Sequence, residues 1–533
     1  MPLFSSGKIA VLLEATQPLK EMEVPEASRI TVHAAVSRFS VLYEKIRTAV
    51  DYKDDHLLRK AAISRILKRR LALYDVQQLL RLGEDEPADL ALDVIRELIA
   101  ARYLPNATLS ETLVPQAALV IQKYIALRRA DVSGERHYRW LLGIIAAELE
   151  ETLVNHEREK ALVHFLFEQL GDRITFRGVT MADEERRLLV YTACYRSLHK
   201  ADEEMLGYKL TRVFHPAWIH PETWLQDSRD MALQMVGVER KVREELVHPL
   251  LQRLTQTVKP WAVALGMIRD SLAEDPARAS SLMEHPDALH AAIHRMAERR
   301  VKGSRSKLRR GILRAVIYLF FTKMLLALAI EIPFEKILYG TVYRLSLAVN
   351  VFFPPVLIFF IGSMIRMPGK ENILRIQEFA DELLSPQGAK GKELRIRTRR
   401  GIASRLWLGI AYAATFLLSF GLIYLGLRLL HFTWLSSSIF LFFLCIVSFF
   451  AFRLRLSARE FVVVSVGDRF RNVLIDFFSL PILRAGKLLS SSISRVNIFI
   501  FIFDFIIETP FKLILNVLEE WFAFLKEKKD ELQ

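Results

Sequence analysis

His290, His294 and Glu298 form a regularly spaced group of possible metal ligands in the chain. They are four residues apart, so a helix would place all three on one face. Two imidazoles and a carboxylate in that arrangement can bind a metal ion such as zinc. The neighbouring Ala291 and Arg295 are instead typical of an exposed helix beside a basic segment. We therefore expect solvated histidines, and a metal site is the weaker alternative.

A second polar group lies within the apolar C-terminal half. Lys323 falls near the middle of the first long apolar run, where inserting a charge costs about 2.5–3.5 kcal/mol. Glu331 lies two turns further on, about 80° away around a regular helix. Asn350 lies in the second apolar run, where Pro354 and Pro355 remove two backbone donors and leave carbonyl groups unbonded. Unbonded carbonyls inside a membrane are tolerated only against protein or water.

These five residues support two interpretations. In the first, Lys323, Asn350 and the proline pair form one polar site between the first two spans, with a role in transport, insertion or gating. In the second, Lys323 only extends toward Glu331 and the membrane surface, as long basic side chains can do, while the prolines shape helix packing. From the sequence we favour the second interpretation.

The familiar sequence motifs of enzymes are missing from the chain. It contains no phosphate-binding glycine loop after a strand, no G-x-S-x-G, no cysteine pair and no H-E-x-x-H. We therefore expect no cofactor and favour a non-enzymatic protein. The two cysteines, Cys194 and Cys445, lie in a soluble and in an apolar segment, so a disulfide between them is not expected.

Four long apolar segments indicate an integral membrane protein. A helix needs about 20 apolar residues to cross a bilayer. Residues 312–330, 345–365, 406–427 and 434–452 meet this requirement. Helices in soluble cores are rarely apolar on every face over such a length. We therefore predict a four-helix transmembrane domain over residues 301–456.

Positive charge is concentrated next to these segments, and the net charge of the chain is +14. Lys and Arg are dense before the first span, in the loop 366–405 and after the fourth span, whereas the other two loops contain only Lys336, Arg344 and Arg428. Because basic residues stay on the cytoplasmic side, we expect an inner-membrane protein with both termini in the cytoplasm. The same charges favour contact with anionic lipid headgroups over nucleic acid.

Residues 1–300 are predicted to form a cytosolic, all-helical domain. Hydrophobic residues recur at helical spacing almost throughout, for example in single helices over 136–170 and 182–206. A helix over 57–73 has a basic side, which we interpret as a solvated face, with anionic lipid or RNA binding as alternatives. Residues 1–13 do not resemble a signal peptide, and we expect them to dock on the domain.

The C-terminal residues 457–533 are predicted to form amphipathic helices at the membrane interface, which completes an all-α fold. Polar residues at every fourth position make a stripe along one apolar helix, and they are Asp504, Glu508, Lys512, Asn516 and Glu520. A re-entrant hairpin or a fifth span, over 461–483 or 496–518, is the alternative. A span over the last segment would place the final lysines outside, against the charge rule.

Three classes of function are compatible with this organisation. The size of the motif-poor helical domain favours a non-enzymatic scaffold that binds a protein partner. The alternative is a small transporter, channel or insertase-like protein that uses the Lys323/Asn350 region, and four spans would then favour a homo-oligomer. A membrane-bound enzyme acting on lipid or an envelope precursor is the third class, and no catalytic group in the sequence supports it.

Overall fold

The computed structural model confirms an all-α fold with four helices long and apolar enough to cross a membrane. It describes residues 6–16, 28–32, 54–80, 87–130, 132–177, 181–365, 368–387, 392–395, 402–458 and 480–489, together with residues 25, 37, 40, 41, 44 and 463. The helices before the first apolar run are α1 (Ser6–Thr16), α2 (Asp55–Leu80), α3 (Pro87–Ala100), α4 (Leu113–Arg129), α5 (Glu135–Leu153), α6 (Glu157–Leu170), α7 (Asp183–Leu198), α8 (Glu203–Phe214), α9 (Ser228–Val247), α10 (Pro249–Glu274) and α11 (Ala279–Glu284). Short 3-10 turns lie at Pro216–Ile219, Pro221–Thr223 and Pro276–Arg278.

Two helices predicted as single elements are each divided in two. The helix expected over 136–170 consists of α5 and α6, separated at Val154 by extended backbone. The helix expected over 182–206 consists of α7 and α8, separated by Lys200, whose φ is +52°. Asp202 then caps the start of α8. Both predictions were wrong because the hydrophobic spacing continues across the breaks. The sequence pattern therefore does not reveal that the backbone leaves the helical conformation there.

The basic side of α2 is not the solvated face that we expect from the sequence. Its side chains pair with carboxylates on the surrounding segments, and the pairs are Arg59–Glu150, Lys60–Asp202, Lys60–Glu204, Arg65–Glu44, Arg69–Glu97 and Arg70–Asp93. Glu150 is fully buried, and Glu44 and Glu97 are nearly so. The prediction failed because the carboxylates come from distant parts of the sequence. Most of the basic side chains of α2 therefore form ion pairs within the domain.

The N-terminal helix α1 packs on this domain, as expected for residues 1–13. Leu12 is fully buried in the core, and α1 contacts α6 and α10. The ammonium of Lys8 donates to the carbonyl oxygens of Leu383 and Ser385, at 3.3 and 2.7 Å. These two acceptors lie 375 and 377 residues further along the chain, so the bonds connect the start of the chain to the loop between the second and third apolar helices.

The membrane domain begins as a direct continuation of the soluble one. Its elements are α12 (Pro286–Leu326), a π-helical turn (Ala327–Glu331), α13 (Ile332–Tyr339), α14 (Arg344–Ser363), α15 (Lys370–Leu384), α16 (Ile402–Leu429) and α17 (Trp434–Ala458). α12 runs without interruption from the soluble domain into the first apolar run over 41 residues, about 60 Å. Large apolar side chains such as Phe359 and Leu417 are exposed, by 62% and 72%, as expected of surfaces that face lipid.

The basic loop 366–405 contains more structure than the sequence suggests. α15 packs on α10 and α12, and the indole nitrogen of Trp261 donates to Glu382 at 3.0 Å. Beyond α15, strand β2 (Lys392–Arg395) pairs in parallel with β1 (Ile174–Arg177), the only strand pair in the described part of the chain. The segment between the second and third apolar helices therefore lies on the side of the soluble domain.

Beyond the end of α17, the C-terminal tail is described at residue 463 and at residues 480–489, and the longer of these two pieces is helical. A Cβ atom at Gly486 would overlap the backbone of Cys445, in the middle of α17. The guanidinium of Arg484 lies 4.9 Å from the ring centre of Tyr412 on α16. This piece therefore packs against the apolar helices α16 and α17, and the interfacial position of the tail stays a prediction. The stripe from Asp504 to Glu520 lies outside the described residues.

Candidate functional site

Three of the polar residues singled out in the apolar helices meet in one buried network. Lys323 and Asn350 are fully buried, and Glu331 is 1% exposed. The ammonium of Lys323 donates to Oδ1 of Asn350 at 2.7 Å, and Nδ2 of Asn350 donates to Oε2 of Glu331 at 2.7 Å. Nζ of Lys323 lies 3.6 Å from Oε1 of Glu331. Lys323 therefore does not extend to the surface, in contrast to the interpretation favoured from the sequence.

The π-helical turn explains why Lys323 and Glu331 share a face. In a regular helix they would lie about 80° apart, because eight residues exceed two turns. A π turn accommodates one additional residue, which changes the angular position of everything after it by about one residue, or roughly 100°. Glu331 is the last residue of that turn. The irregularity thus brings its carboxylate back within about 20° of Lys323.

The network continues through residues that the sequence analysis does not identify. Glu335, 1% exposed, accepts from the hydroxyl of Ser436 at 3.0 Å and from the backbone N–H of Tyr343 at 3.2 Å. The carbonyl of Ser436 lies 3.4 Å from Nδ2 of Asn350. The sequence does contain a signal for both residues. Glu335 comes four residues after Glu331, and three serines at 436–438 lie at the start of an apolar helix.

The surroundings of the network are apolar and aromatic. The ammonium of Lys323 lies 4.3 Å from the ring centre of Phe443 on α17, a favourable cation–π geometry. Pro354 and Pro355 are buried within α14, which stays helical through both residues. They lie one turn beyond Asn350 and pack in the interior of the domain, and neither donates to the network. The site is therefore built by α12, the π turn, α13, α14 and α17.

One polar atom of the network lacks a hydrogen bond. Oε1 of Glu331 is buried and has no hydrogen-bond partner among the described residues. Both oxygens of Glu335, by contrast, accept a hydrogen bond. Leaving a buried acceptor unsatisfied costs about 1–3 kcal/mol. The two carboxyl groups are thus in different environments although they stand one turn apart.

The side chains of the histidine group at 290–298 make separate contacts with carboxylates and do not converge on one point. Nε2 of His290 lies 2.8 Å from Oδ1 of Asp381 on α15, and His294 lies 3.5 Å from Glu298. No group of three possible metal ligands occurs in the described part of the chain. His290 instead joins α12 to α15, since Gln377 also donates to its carbonyl oxygen at 2.9 Å.

A second cluster of titratable groups lies in the soluble domain, where α2, α5, α6 and α7 meet. The ring of His199 stacks on His56 at 4.5 Å and meets His156 edge-on at 5.5 Å. Nε2 of His156 lies 2.8 Å from Glu150, which also binds Arg59 at 2.7 Å. Burial, followed by the two neighbouring imidazoles, lowers the pKa of His199 to about 3. His199 is therefore neutral in the folded protein at physiological pH.

The comparisons with known proteins add no likeness to this geometry. No protein-family model matches the chain, and no curated protein and no solved structure matches it.

Replacing Asn350 tests whether the network stabilises the membrane domain. Asn350→Leu removes the donor to Glu331 and the acceptor for Lys323, so we expect a loss on the order of 3 kcal/mol. The measurement is the unfolding transition of the detergent-solubilised protein. Ser363→Leu on the same helix is the control, because that exposed hydroxyl bonds only the carbonyl of Phe360. Equal stability of Asn350→Leu and the parent would contradict the structural role.

The histidine cluster predicts that the soluble domain loses stability in mild acid. The folded pKa of His199 is depressed, so unfolded chains bind a proton below about 6.5 that folded chains do not. From pH 7.5 to pH 5 we expect His199 to account for a loss of about 2 kcal/mol. Denaturant titrations at both pH values measure it. A His199→Gln protein should show a correspondingly smaller difference, and an unchanged difference would refute the assignment.

Proposed function

We propose that this chain is a non-enzymatic scaffold of the inner membrane that presents its helical domain to a protein partner in the cytoplasm. The observation that carries the proposal is the double attachment of the soluble domain. α12 continues from it into the membrane domain as one helix, and α15 returns from the membrane domain to pack on α10 and α12. A domain held at two points keeps one orientation relative to the bilayer, which suits a platform for a partner.

The attachment is made of specific contacts. Trp261 donates to Glu382 at 3.0 Å and packs against Phe379, with ring centres 5.2 Å apart. His290 and Asp381 join α12 to α15 at 2.8 Å. Lys8 adds the N-terminal helix to the end of α15. These contacts join residues that are 91 to 377 positions apart in the sequence, so they resist rotation of the domain about α12.

The cytoplasmic orientation rests on the distribution of charge. The exposed stretch of α12 before the apolar run carries Arg305, Lys307, Arg309 and Arg310, and anionic headgroups of the inner leaflet attract such segments. The two short loops at the other end of the bundle contain few basic residues. Both observations support placing the soluble domain and the termini in the cytoplasm.

A second candidate function is transport across the membrane by the buried network. It is favoured by the full burial of Lys323 and the near-complete burial of Glu331, because ionisable groups within a membrane commonly serve ion or proton movement. Proton flux into vesicles that contain the purified protein distinguishes the two functions. The scaffold predicts the same flux for the parent and for Asn350→Leu, whereas transport predicts that this substitution abolishes it.

Cysteine labelling tests the orientation. The native Cys194 and Cys445 are buried, so they contribute little background. In intact cells we expect a membrane-impermeant maleimide to label Lys336→Cys, at an exposed position between the first two spans. Glu371→Cys, exposed on α15, should react only after permeabilisation. The reverse pattern would place the soluble domain outside and remove the proposed cytosolic partner.

Site-specific photo-crosslinking tests the scaffold directly. Crosslinking residues at the exposed apolar positions Ile219, Leu233 and Val247 of the soluble domain should yield at least one discrete adduct with a second protein in native membranes. The same residue at Lys336, at the far end of the bundle, is the control. Adducts that form equally in Asn350→Leu would agree with a partner bound by the soluble domain. Absence of adducts from all three positions would reject the proposal.

A further inference from the structure

The buried network carries an imbalance of charge. Lys323 is fully buried, and Glu331 and Glu335 are each 1% exposed. With all three ionised, one positive charge would face two negative charges among apolar helices. Glu331 and Glu335 are also one turn apart, a spacing at which like charges repel. An uncompensated ion in an apolar interior is strongly destabilising, and such groups change protonation state instead.

Other charged groups near the network do not correct the imbalance. The basic residues of the two short loops and their flanking turns, at the same end of the bundle, are all exposed, and they are Lys336, Arg344 and Arg428. His431, also exposed, stacks on Tyr343 with ring centres 6.2 Å apart. Oxygen and nitrogen atoms of Asn350, Ser436 and Thr433 are polar but neutral. Among the described residues, Lys323 is the basic side chain that forms an ion pair with either carboxyl group, and it does so with Glu331, at 3.6 Å.

We propose that Glu331 is a proton-binding site and holds one proton on its buried carboxyl group in the folded protein. One proton from solvent bonded to a carboxylate oxygen converts that group to a neutral acid and leaves Lys323 balanced by Glu335. The hydrogen bonds identify which carboxyl group takes it. Both oxygens of Glu335 accept a hydrogen bond, which favours its ionised form, whereas Oε1 of Glu331 accepts none and lies 3.6 Å from Nζ of Lys323, beyond hydrogen-bond distance. This inference goes beyond the scaffold role and does not depend on it.

The location of Glu331 gives proton binding a structural consequence. The residue ends the π-helical turn, and its other oxygen accepts from Asn350 on α14. Loss of the proton would leave a net negative charge where α12, α14 and α17 meet. The arrangement could then relax by reverting the π turn to regular helix, which rotates Glu331 away from Lys323 by about 100°. Protonation of one carboxyl group thereby stabilises the observed helix arrangement.

Infrared spectroscopy of the full-length protein tests this assignment. The carbonyl stretch of a carboxylic acid is resolved from that of a carboxylate and changes in deuterated water. In vesicles of phosphatidylcholine and phosphatidylglycerol at pH 7, we expect the parent spectrum minus the Glu331→Gln spectrum to contain one acid band. The pKa of Glu148 is raised by burial, and that of Glu245 is raised to about 7. Their bands are common to both proteins and cancel.

Two further variants and one buffer exchange make the result decisive. Glu335→Asp keeps the charge of the network, so the acid band of Glu331 should stay at its parental frequency, and Glu371→Gln, at an exposed position of α15, should leave the band unchanged. Glutamine resembles a protonated carboxyl group, so Glu331→Gln should also fold with a thermal midpoint close to that of the parent. Absence of the band in the difference spectrum, or a shift of its frequency in Glu335→Asp, would overturn the assignment. Disappearance of the band when sodium replaces choline would instead identify a sodium ion as the ligand.

Discussion

The organisation of the membrane domain depends on the hydrogen bonds between Lys323, Asn350 and Glu331. In water these groups would be solvated, but among apolar helices every donor and charge needs a partner within the protein. Asn350 satisfies this requirement in both directions, because its oxygen accepts from the lysine and its nitrogen donates to the glutamate. Apolar contacts between helices tolerate sliding, whereas these bonds are directional. The network therefore sets the register of α12 and its π turn against α14.

The π-helical turn is a local distortion that this arrangement requires. It gives up the regular hydrogen-bond pattern over Ala327–Glu331, a change that is unfavourable on its own. The change is offset by placing Glu331 opposite Lys323 and Asn350. It also places Glu335 where the backbone of Tyr343 and the hydroxyl of Ser436 can bind it. A distortion of a single turn thus connects the first, second and fourth apolar helices.

In the soluble domain, too, buried charged groups are paired within the protein. Its basic helix α2 pairs with carboxylates such as Glu150 and Glu97, which are buried. The pair of Lys123 and Glu148, at 2.6 Å, anchors Trp218 in the core through a bond from the indole nitrogen to Glu148 at 2.9 Å. Because α12 and α15 join this domain to the membrane helices, charge pairs stabilise both parts and the connection between them. Such a connection is what the proposed scaffold role requires of the soluble domain.

The sequence by itself determined the helical class, the four apolar helices and the residues Lys323, Glu331 and Asn350 as candidates. These features depend on composition and on spacing within one helix, which are local properties. Tertiary structure alone decided that Lys323 is buried instead of extended, that α15 returns to the soluble domain, and that α2 has paired rather than solvated charges. Each of these depends on groups distant in the sequence, such as Glu150 for Arg59 or Phe443 for Lys323. Helical periodicity shows which face a residue occupies, but not which element covers that face or where a π turn rotates it.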